Sequence, residues 1–161
     1  VCVDMGKPLL DAKDVPVKVD GRAFGMLLTV LDRSFSFSSV RVGVPHTVVF
    51  VETLNEADVR KYGPLIENDP LFPERTNVDF VEVLSSGRVK MRTWERGCGC
   101  TLACGTGACA AAVACALSGK TERSVAVEIA LGTLWIKWSE TDNHVYMTGP
   151  PETVFSGVWN G

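Results

Sequence analysis

The residues best suited to chemistry lie in the stretch Trp94 to Ser118, which reads WERGCGCTLACGTGACAAAVACALS. Cys104 is followed directly by Gly105, Thr106 and Gly107, and then by a run made almost entirely of Ala, Val, Cys and Leu. Such a run is a strong helix former with too few charges for a surface helix, which predicts a buried helix starting just after Cys104. Gly119 closes it as a C′ residue, with Lys120 placed for the negative end of the dipole. A thiol at the open N-terminus of that helix lies beside backbone N–H groups that have no intrahelical partner. The N–H groups of Gly105, Thr106 and Gly107 would then receive a carboxylate or phosphate. The same field favours thiolate over thiol, and helix N-termini lower a cysteine pKa from about 8.5 to roughly 3.5–7.5. The competing reading is a small buried side chain, because free cysteine is among the most buried residue types. The spacing favours the reactive reading for Cys104 and the packing reading for Cys109 and Cys115.

Few other groups could take part. His46 follows Gly43-Val44-Pro45 at the mouth of an apolar strand, where a loop can present it to a cleft; otherwise it is a satisfied loop histidine. His144 follows Asp142-Asn143 and reads as a turn residue facing solvent. Glu95 and Arg96 precede the cysteine turn. Such pairs are usually solvated charges, but beside a thiol and an anion site they offer a carboxylate base and a guanidinium clamp for chemistry at an amino-acid α-carbon. Asn77 reads as a turn residue or as an amide that binds a polar ligand. Cys98, Cys100 and Cys104 form C-x-C-x3-C, but structural zinc sites use two separated ligand pairs and no second pair follows, so no metal is expected.

The elements that must position these groups are mostly strands. Short strands are expected at Val1–Met5 and Pro16–Val19, and a hairpin over Phe24–Asp32 and Phe35–Gly43. A strand follows at His46–Glu52. Asn55 caps a helix over Glu56–Ile66 that Gly63-Pro64 interrupts late. Asn77–Leu84 and Arg88–Trp94 flank the turn Ser85-Ser86-Gly87. After the alanine-rich helix come Ser124–Ala130 and Thr133–Trp138 around Gly132, then His144–Thr148 and a last strand at Thr153–Trp159. Many strands, two helices and no alternation of strand with helix indicate α+β, with a mostly antiparallel sheet wrapped around the buried Ala/Cys helix.

At 161 residues the chain suits one domain with a sizeable core. A formal net charge of −3 and the lack of a basic cluster argue against a nucleic-acid surface. No apolar run is long enough to span a bilayer, and no signal-peptide pattern opens the chain, so no membrane partner is expected. Six cysteines without a secretory signal suggest reduced thiols in the cytoplasm. The chain opens in strand-like VCVDM without an initiator Met, so a missing N-terminal part is expected.

ERGCGCTLACGTGACAAA resembles the second cysteine motif of the diaminopimelate epimerase family, whose pattern runs Glu-Arg-Gly-x-Gly-Glu-Thr-x-Ala-Cys-Gly-Ser/Thr-Gly-Ala. VDMGKPLL, GVPHTVVFVE, YGPLIENDPLFPERTNVDFVEV and DNHVYMTGPPETVFSG match in the family's order and cover almost the whole chain. The resemblance implies that residues 1–161 are the C-terminal domain of an enzyme built from two similar α+β halves. Each half gives one cysteine to a cleft between them. The N-terminal half, with its own Cys-Gly-Asn motif, is not in this sequence.

What the resemblance implies chemically is a cofactor-independent isomerase that interconverts LL- and meso-diaminopimelate, in lysine and cell-wall precursor synthesis. One cysteine thiolate removes the α-proton while the other, as a thiol, protonates the opposite face. Cys104 matches the second catalytic cysteine, and Gly105 and Thr106 the pair whose backbone holds the reacting carboxylate. Glu95 matches the carboxylate associated with that cysteine, and Arg96 the clamp on the distal carboxylate. His46 matches a histidine that partners the other cysteine, and Asn77 an asparagine at the distal end of the substrate. The implied partners are the small-molecule substrate, the N-terminal half of the same enzyme and a second copy in a homodimer.

Three positions depart from the pattern: Val44 replaces an asparagine, Cys100 a glutamate, and Phe155 a tyrosine linked to dimer contacts. The first leaves open a divergent amino-acid epimerase or racemase with another substrate. A non-catalytic ligand-binding homologue and a redox or metal module on Cys98, Cys100 and Cys104 are the remaining alternatives. With one cysteine, residues 1–161 alone are expected to be inactive.

Overall fold

Side chains along the central strands alternate between two apolar faces, and each face has its own helix. The computed structural model describes every residue except Val154, Asn160 and Gly161. Its elements are β1 (Cys2–Asp4), β2 (Met26–Val30), β3 (Arg33–Val42), β4 (Val44–Val51), α1 (Glu56–Glu67), β5 (Asn77–Ser85), β6 (Arg88–Glu95), β7 (Gly99–Thr101), α2 (Gly105–Leu117), β8 (Ser124–Ile129), β9 (Gly132–Trp138) and β10 (Val145–Thr148). The strands form one sheet in the order β1-β10-β9-β8-β6-β5-β4-β3-β2, with β7 added beside β6. The class is α+β, and the sheet is mixed.

Parallel pairing joins β4 to β5 and β6 to β8, and the other pairs are antiparallel. Parallel neighbours cannot be joined by a tight turn and need a crossover. Here α1 carries one crossover and α2 the other. The expectation of no strand–helix alternation is therefore corrected: strand and helix alternate twice, at the two places that set the site.

Phe35, Phe37, Val49, Val78 and Phe80 pack with Val59, Tyr62 and Ile66 of α1. Val40, Val42, Val48, Val81 and Met91 pack with Ala108 to Cys115 of α2. The period of two along each strand places these sets on opposite faces. Burial on both faces also explains why apolar residues follow one another in β4, at Val48, Val49 and Phe50, and in β5, at Phe80 and Val81, in place of a clean alternation.

Asn55 caps α1, its side chain accepting from the Ala57 N–H at 2.9 Å. The helix is not interrupted at Gly63-Pro64 as expected but runs through Pro64 to Glu67. Gly63 is where Trp94 rests on the helix: a Cβ there would lie 2.6 Å from Trp94 Cγ.

In α2, residues Gly107 to Cys115 are buried, and the helix touches β3 to β6 and β8 to β10. At its end Gly119, with φ +65°, donates to Ala116 O while Lys120 donates to Cys115 O, the paired bonds of a Schellman motif. Both ends of this helix are thus fixed by local hydrogen bonds.

Two expected strands do not form. Residues 16–19 lie in turns, where Val15 and Val17 are buried one at a time rather than laddered. The described residues of Thr153–Trp159 are irregular and exposed, and Val154 lies outside the described residues. β7, which pairs Thr93 with Thr101 and Glu95 with Gly99, has no counterpart in the sequence reading. Among the described residues no helix is long and apolar enough to cross a membrane.

Candidate active site

Cys104 is the N-cap of α2, with extended φ −141° and ψ 105°. Its Sγ accepts from the Gly107 N–H at 3.4 Å, and its carbonyl accepts the first helical bond, from Ala108. A cysteine here does what serine or aspartate usually does at a helix start. The N–H groups of Gly105 and Thr106 have no protein acceptor among the described residues, and both residues are only half-buried. They leave an anion-accepting corner beside the sulfur.

The sulfur itself is not acidified as expected. Cys104 is only 8% exposed, and its pKa is pushed up from 9.0 to about 11. Burial is the main cause, followed by the negative charge of Asp79; the hydrogen bonds from Thr106 and Gly107 pull the other way and are outweighed. Desolvation and a neighbouring carboxylate both disfavour a thiolate. In this form of the molecule Cys104 is a thiol.

His46 is likewise not at a loop mouth. It lies inside β4, paired with Asn77 of β5 and fully buried. Its Nδ1 lies 2.7 Å from Asp79 Oδ2 and its Nε2 lies 3.0 Å from Thr106 Oγ1. Thr106 Oγ1 in turn lies 3.5 Å from Cys104 Sγ. The other Asp79 oxygen, Oδ1, accepts from Thr93 Oγ1 at 2.7 Å. A continuous chain therefore runs from Thr93 through Asp79, His46 and Thr106 to Cys104. It is carried by β6, β5, β4 and the first turn of α2, neighbouring elements of the sheet and the helix laid on it.

Asn77 and Arg96 are brought together, but by their backbone tether. Asn77 Oδ1 accepts from the Arg96 N–H at 2.8 Å, and its Nδ2 donates to Pro45 O at 3.0 Å. Arg96 Nη1 donates to Glu74 O at 2.7 Å, which holds the guanidinium over that loop. Glu95 accepts from Thr101 Oγ1 at 2.6 Å, a bond that depends on β7. Its charge adds to the upward push on the Cys104 thiol.

The loop carrying Glu95 and Arg96 is anchored by Glu67, at 4% exposure. Glu67 accepts from Trp94 Nε1 at 2.8 Å, the Gly97 N–H at 3.1 Å and Arg75 Nη1 at 3.1 Å. Asp79 and Glu67 are the residues that sequence reasoning missed. Asp79 left a trace: a carboxylate between Val78 and Phe80 in an apolar strand needs a buried partner.

Val44 lies at the start of β4 and is 39% exposed, next to Gly43, whose Cα faces the Thr106 methyl. Cys98 is exposed and Cys100 half-buried, and all six cysteines are free. Among the described residues no cluster of His, Cys, Asp and Glu could hold a metal ion.

Comparison with known proteins adds to this geometry. The family model described as diaminopimelate epimerase matches residues 38–154. The chain belongs to the diaminopimelate epimerase family. The diaminopimelate epimerase of Desulforudis audaxviator is 52% identical over 160 residues, covering 99% of this chain and 58% of the relative. That of Trichodesmium erythraeum is 48% identical over 161 residues, covering 98% and 58%. The chain thus spans somewhat more than half the length of these curated relatives. A hydroxyproline epimerase from Agrobacterium vitis, solved with trans-4-hydroxy-L-proline bound, superposes with a TM-score of 0.63 over 91% of this chain and 48% of its own. At 14% identity that likeness concerns the fold.

Proposed function

We propose that this chain is the C-terminal half of a cofactor-independent epimerase that interconverts LL- and meso-diaminopimelate. The observation that carries the reading is Cys104 Sγ at the start of α2, with the free N–H groups of Gly105 and Thr106 beside it. An α-carboxylate held by those N–H groups would bring the substrate α-carbon toward the sulfur. Donors aimed at charge that develops during reaction are usually the largest single catalytic term, and the enediolate formed when an α-proton leaves places that charge on the carboxylate oxygens. Cys104 and a second cysteine, supplied by the N-terminal half, act on opposite faces of the α-carbon.

The raised Cys104 pKa favours one order of resting roles. Cys104 is the thiol that delivers a proton, and the cysteine of the other half starts as the thiolate. Glu95 and Arg96 sit on the loop at the rim of the site, where Glu95 sets the field at the sulfur and Arg96 meets the distal carboxylate. Asn77 acts by tethering that loop as well as by its remaining hydrogen-bonding capacity. His46 acts on the Cys104 side of the cleft, in addition to any contact with the opposite cysteine.

The test uses the complete reading frame that contains this chain. α-Proton exchange into LL-diaminopimelate in D2O is expected for that protein, lost in Cys104→Ala, and absent from residues 1–161 alone. Exchange unaffected by Cys104→Ala removes the sulfur from the mechanism. The half-exposed Val44 favours one further comparison: exchange that is faster on another amino acid than on diaminopimelate assigns a different substrate.

A further inference from the structure

Among the described residues, Leu31, Arg75 and Asn143 are the non-glycine residues with left-handed backbone, and Arg75, at φ +58°, is the one beside the site loop. Asparagine enters that region readily and arginine does not. A residue stays there only where its surroundings impose the conformation. The surroundings of Arg75 do so at three points. Its N–H donates to Phe72 O at 2.9 Å and closes a turn. Thr76, which follows, is buried with its hydroxyl 3.0 Å from Thr47 Oγ1. The Arg75 guanidinium reaches Glu67 Oε1 at 3.1 Å, and that carboxylate is itself buried.

The φ angle of Arg75 sets how the Glu74–Arg75 peptide plane is turned. In its present orientation the Glu74 carbonyl accepts from Arg96 Nη1 at 2.7 Å. An ordinary helical φ at Arg75 would rotate that plane by about 120° and swing the carbonyl off Arg96.

We propose that Arg75 is a positioning residue for recognition of the substrate's distal carboxylate: its left-handed backbone aims the Glu74 carbonyl at Arg96, and Glu67 holds that backbone in place. The inference rests on the reading of Arg96 as the group that meets this carboxylate. Arg96 is held at both ends, its N–H by Asn77 Oδ1 at 2.8 Å and its Nη1 by the Glu74 carbonyl. The edge formed by Nε and Nη2 has no protein acceptor among the described residues. A guanidinium edge with two parallel N–H groups is what a carboxylate takes bidentately. A long side chain fixed before binding also loses less freedom when the ligand arrives.

The remaining Glu67 contacts extend the same arrangement. Glu67 Oε1 accepts the Gly97 N–H at 3.1 Å as well as Arg75 Nη1. One buried carboxylate therefore ties the segment that carries the Glu74 carbonyl to the segment that carries Arg96.

The test compares two substitutions in the complete reading frame that contains this chain. The Arg75 side chain is 54% exposed, so replacing it does not open the core. Arg75→Ala and Arg75→Asn both remove the Glu67 contact, but only asparagine retains a preference for the left-handed region. Arg75→Ala is expected to raise KM for diaminopimelate about tenfold with kcat unchanged, the pattern of lost binding. Arg75→Asn is expected to raise it about threefold. A loss of stability alone would lower the amount of active enzyme and leave KM as it was. An unchanged KM in Arg75→Ala, an equal rise in both variants, or a fall in kcat in place of the rise in KM overturns the proposal.

A second readout needs no substrate. In NMR of the same protein with labelled arginine, rotation of the Arg96 guanidinium about its Nε–Cζ bond is expected to be slow in the wild type and faster in Arg75→Ala. Equal rotation in the two proteins also overturns the proposal. Because this measurement does not involve diaminopimelate, the tether on Arg96 and the epimerase reading fail independently.

Discussion

Gly107 lies against Asp79 so closely that a Cβ on the glycine would sit 2.6 Å from the carboxylate Oδ1 and 3.2 Å from Cys104 Sγ. The first turn of α2 and the carboxylate on β5 can meet only because this residue lacks a side chain. The helix conformation does not require glycine here; the approach of the carboxylate does.

Gly107→Ala therefore must displace either Asp79 or the helix start. Overpacking of this kind costs about 1–3 kcal/mol, against a gain in helix propensity of about 1 kcal/mol. The expected outcome is a lower urea midpoint together with a changed Cys104 alkylation rate. A stabilised protein with unaltered alkylation would mean that the contact is slack.

Stability should fall at alkaline pH because of buried thiols. Cys104 is raised to about 11 and Cys109 and Cys115 to about 12, each from 9.0 and each mainly by burial. Between pH 9 and 12 the folded state holds protons that the unfolded chain releases, so the unfolding free energy declines as pH rises. The contribution is intact below pH 9 and lost as pH passes through the folded values. Urea midpoints at pH 8 and pH 10.5 measure it. Cys109→Ala and Cys115→Ala should each show a shallower fall, and equal slopes would refute the assignment.

Glu67→Ala should loosen the Glu95–Arg96 loop. It strands the Trp94 indole N–H and the Gly97 N–H that Glu67 now receives. A fully buried donor left without an acceptor costs about 1–3 kcal/mol, and the cost here is smaller because Trp94 is half-buried and Gly97 exposed. Amide hydrogen exchange at Gly97 should accelerate in the variant. Unchanged exchange there would show that the loop is held by β7 instead.

Asn77→Ala separates a tether from a ligand contact. If the amide serves mainly to hold the Arg96 N–H and the Pro45 carbonyl, the variant loses about 1–3 kcal/mol without any ligand present. A pure ligand contact predicts unaltered stability and weakened substrate binding. Thermal melting of the free chain decides between them.

The parts of this molecule that were legible in its sequence are those set by local rules. Asn55 caps α1, Gly119 ends α2, and the turn at Ser86-Gly87 closes the β5–β6 hairpin, because each follows from the chemistry of one or two residues. Cys104 at the helix start was legible for the same reason. The resemblance to a known family named candidate site residues, but neither Asp79 and Glu67 nor how the candidates are connected.

What could not be read depends on partners far apart in the chain. The acidity of Cys104 was misjudged because the helix terminus is visible locally, whereas Asp79 and the burying strands are not. His46 looked like a loop residue because Gly43 and Pro45 precede it, yet β4 starts at Val44 and lies between β3 and β5. The two parallel pairings within a mostly antiparallel sheet could not be read off, because runs such as Val48-Val49-Phe50 report burial on both faces and not strand direction. Val17, Phe155 and Trp159 carry strand-like side chains in segments that join no strand ladder among the described residues.

The run of methyl-sized side chains along α2 has a mechanical consequence. With strands touching residues along its length and both ends pinned, the helix behaves as a stiff rod fitted to its channel. Enlarging Ala112 or Ala114, two or more turns from the sulfur, would push the rod along or across that channel and carry Cys104 with it. A gentler adjustment of the thiol is open to the turn at Gly43, which faces the Thr106 methyl at the head of the rod and can yield without moving the bar.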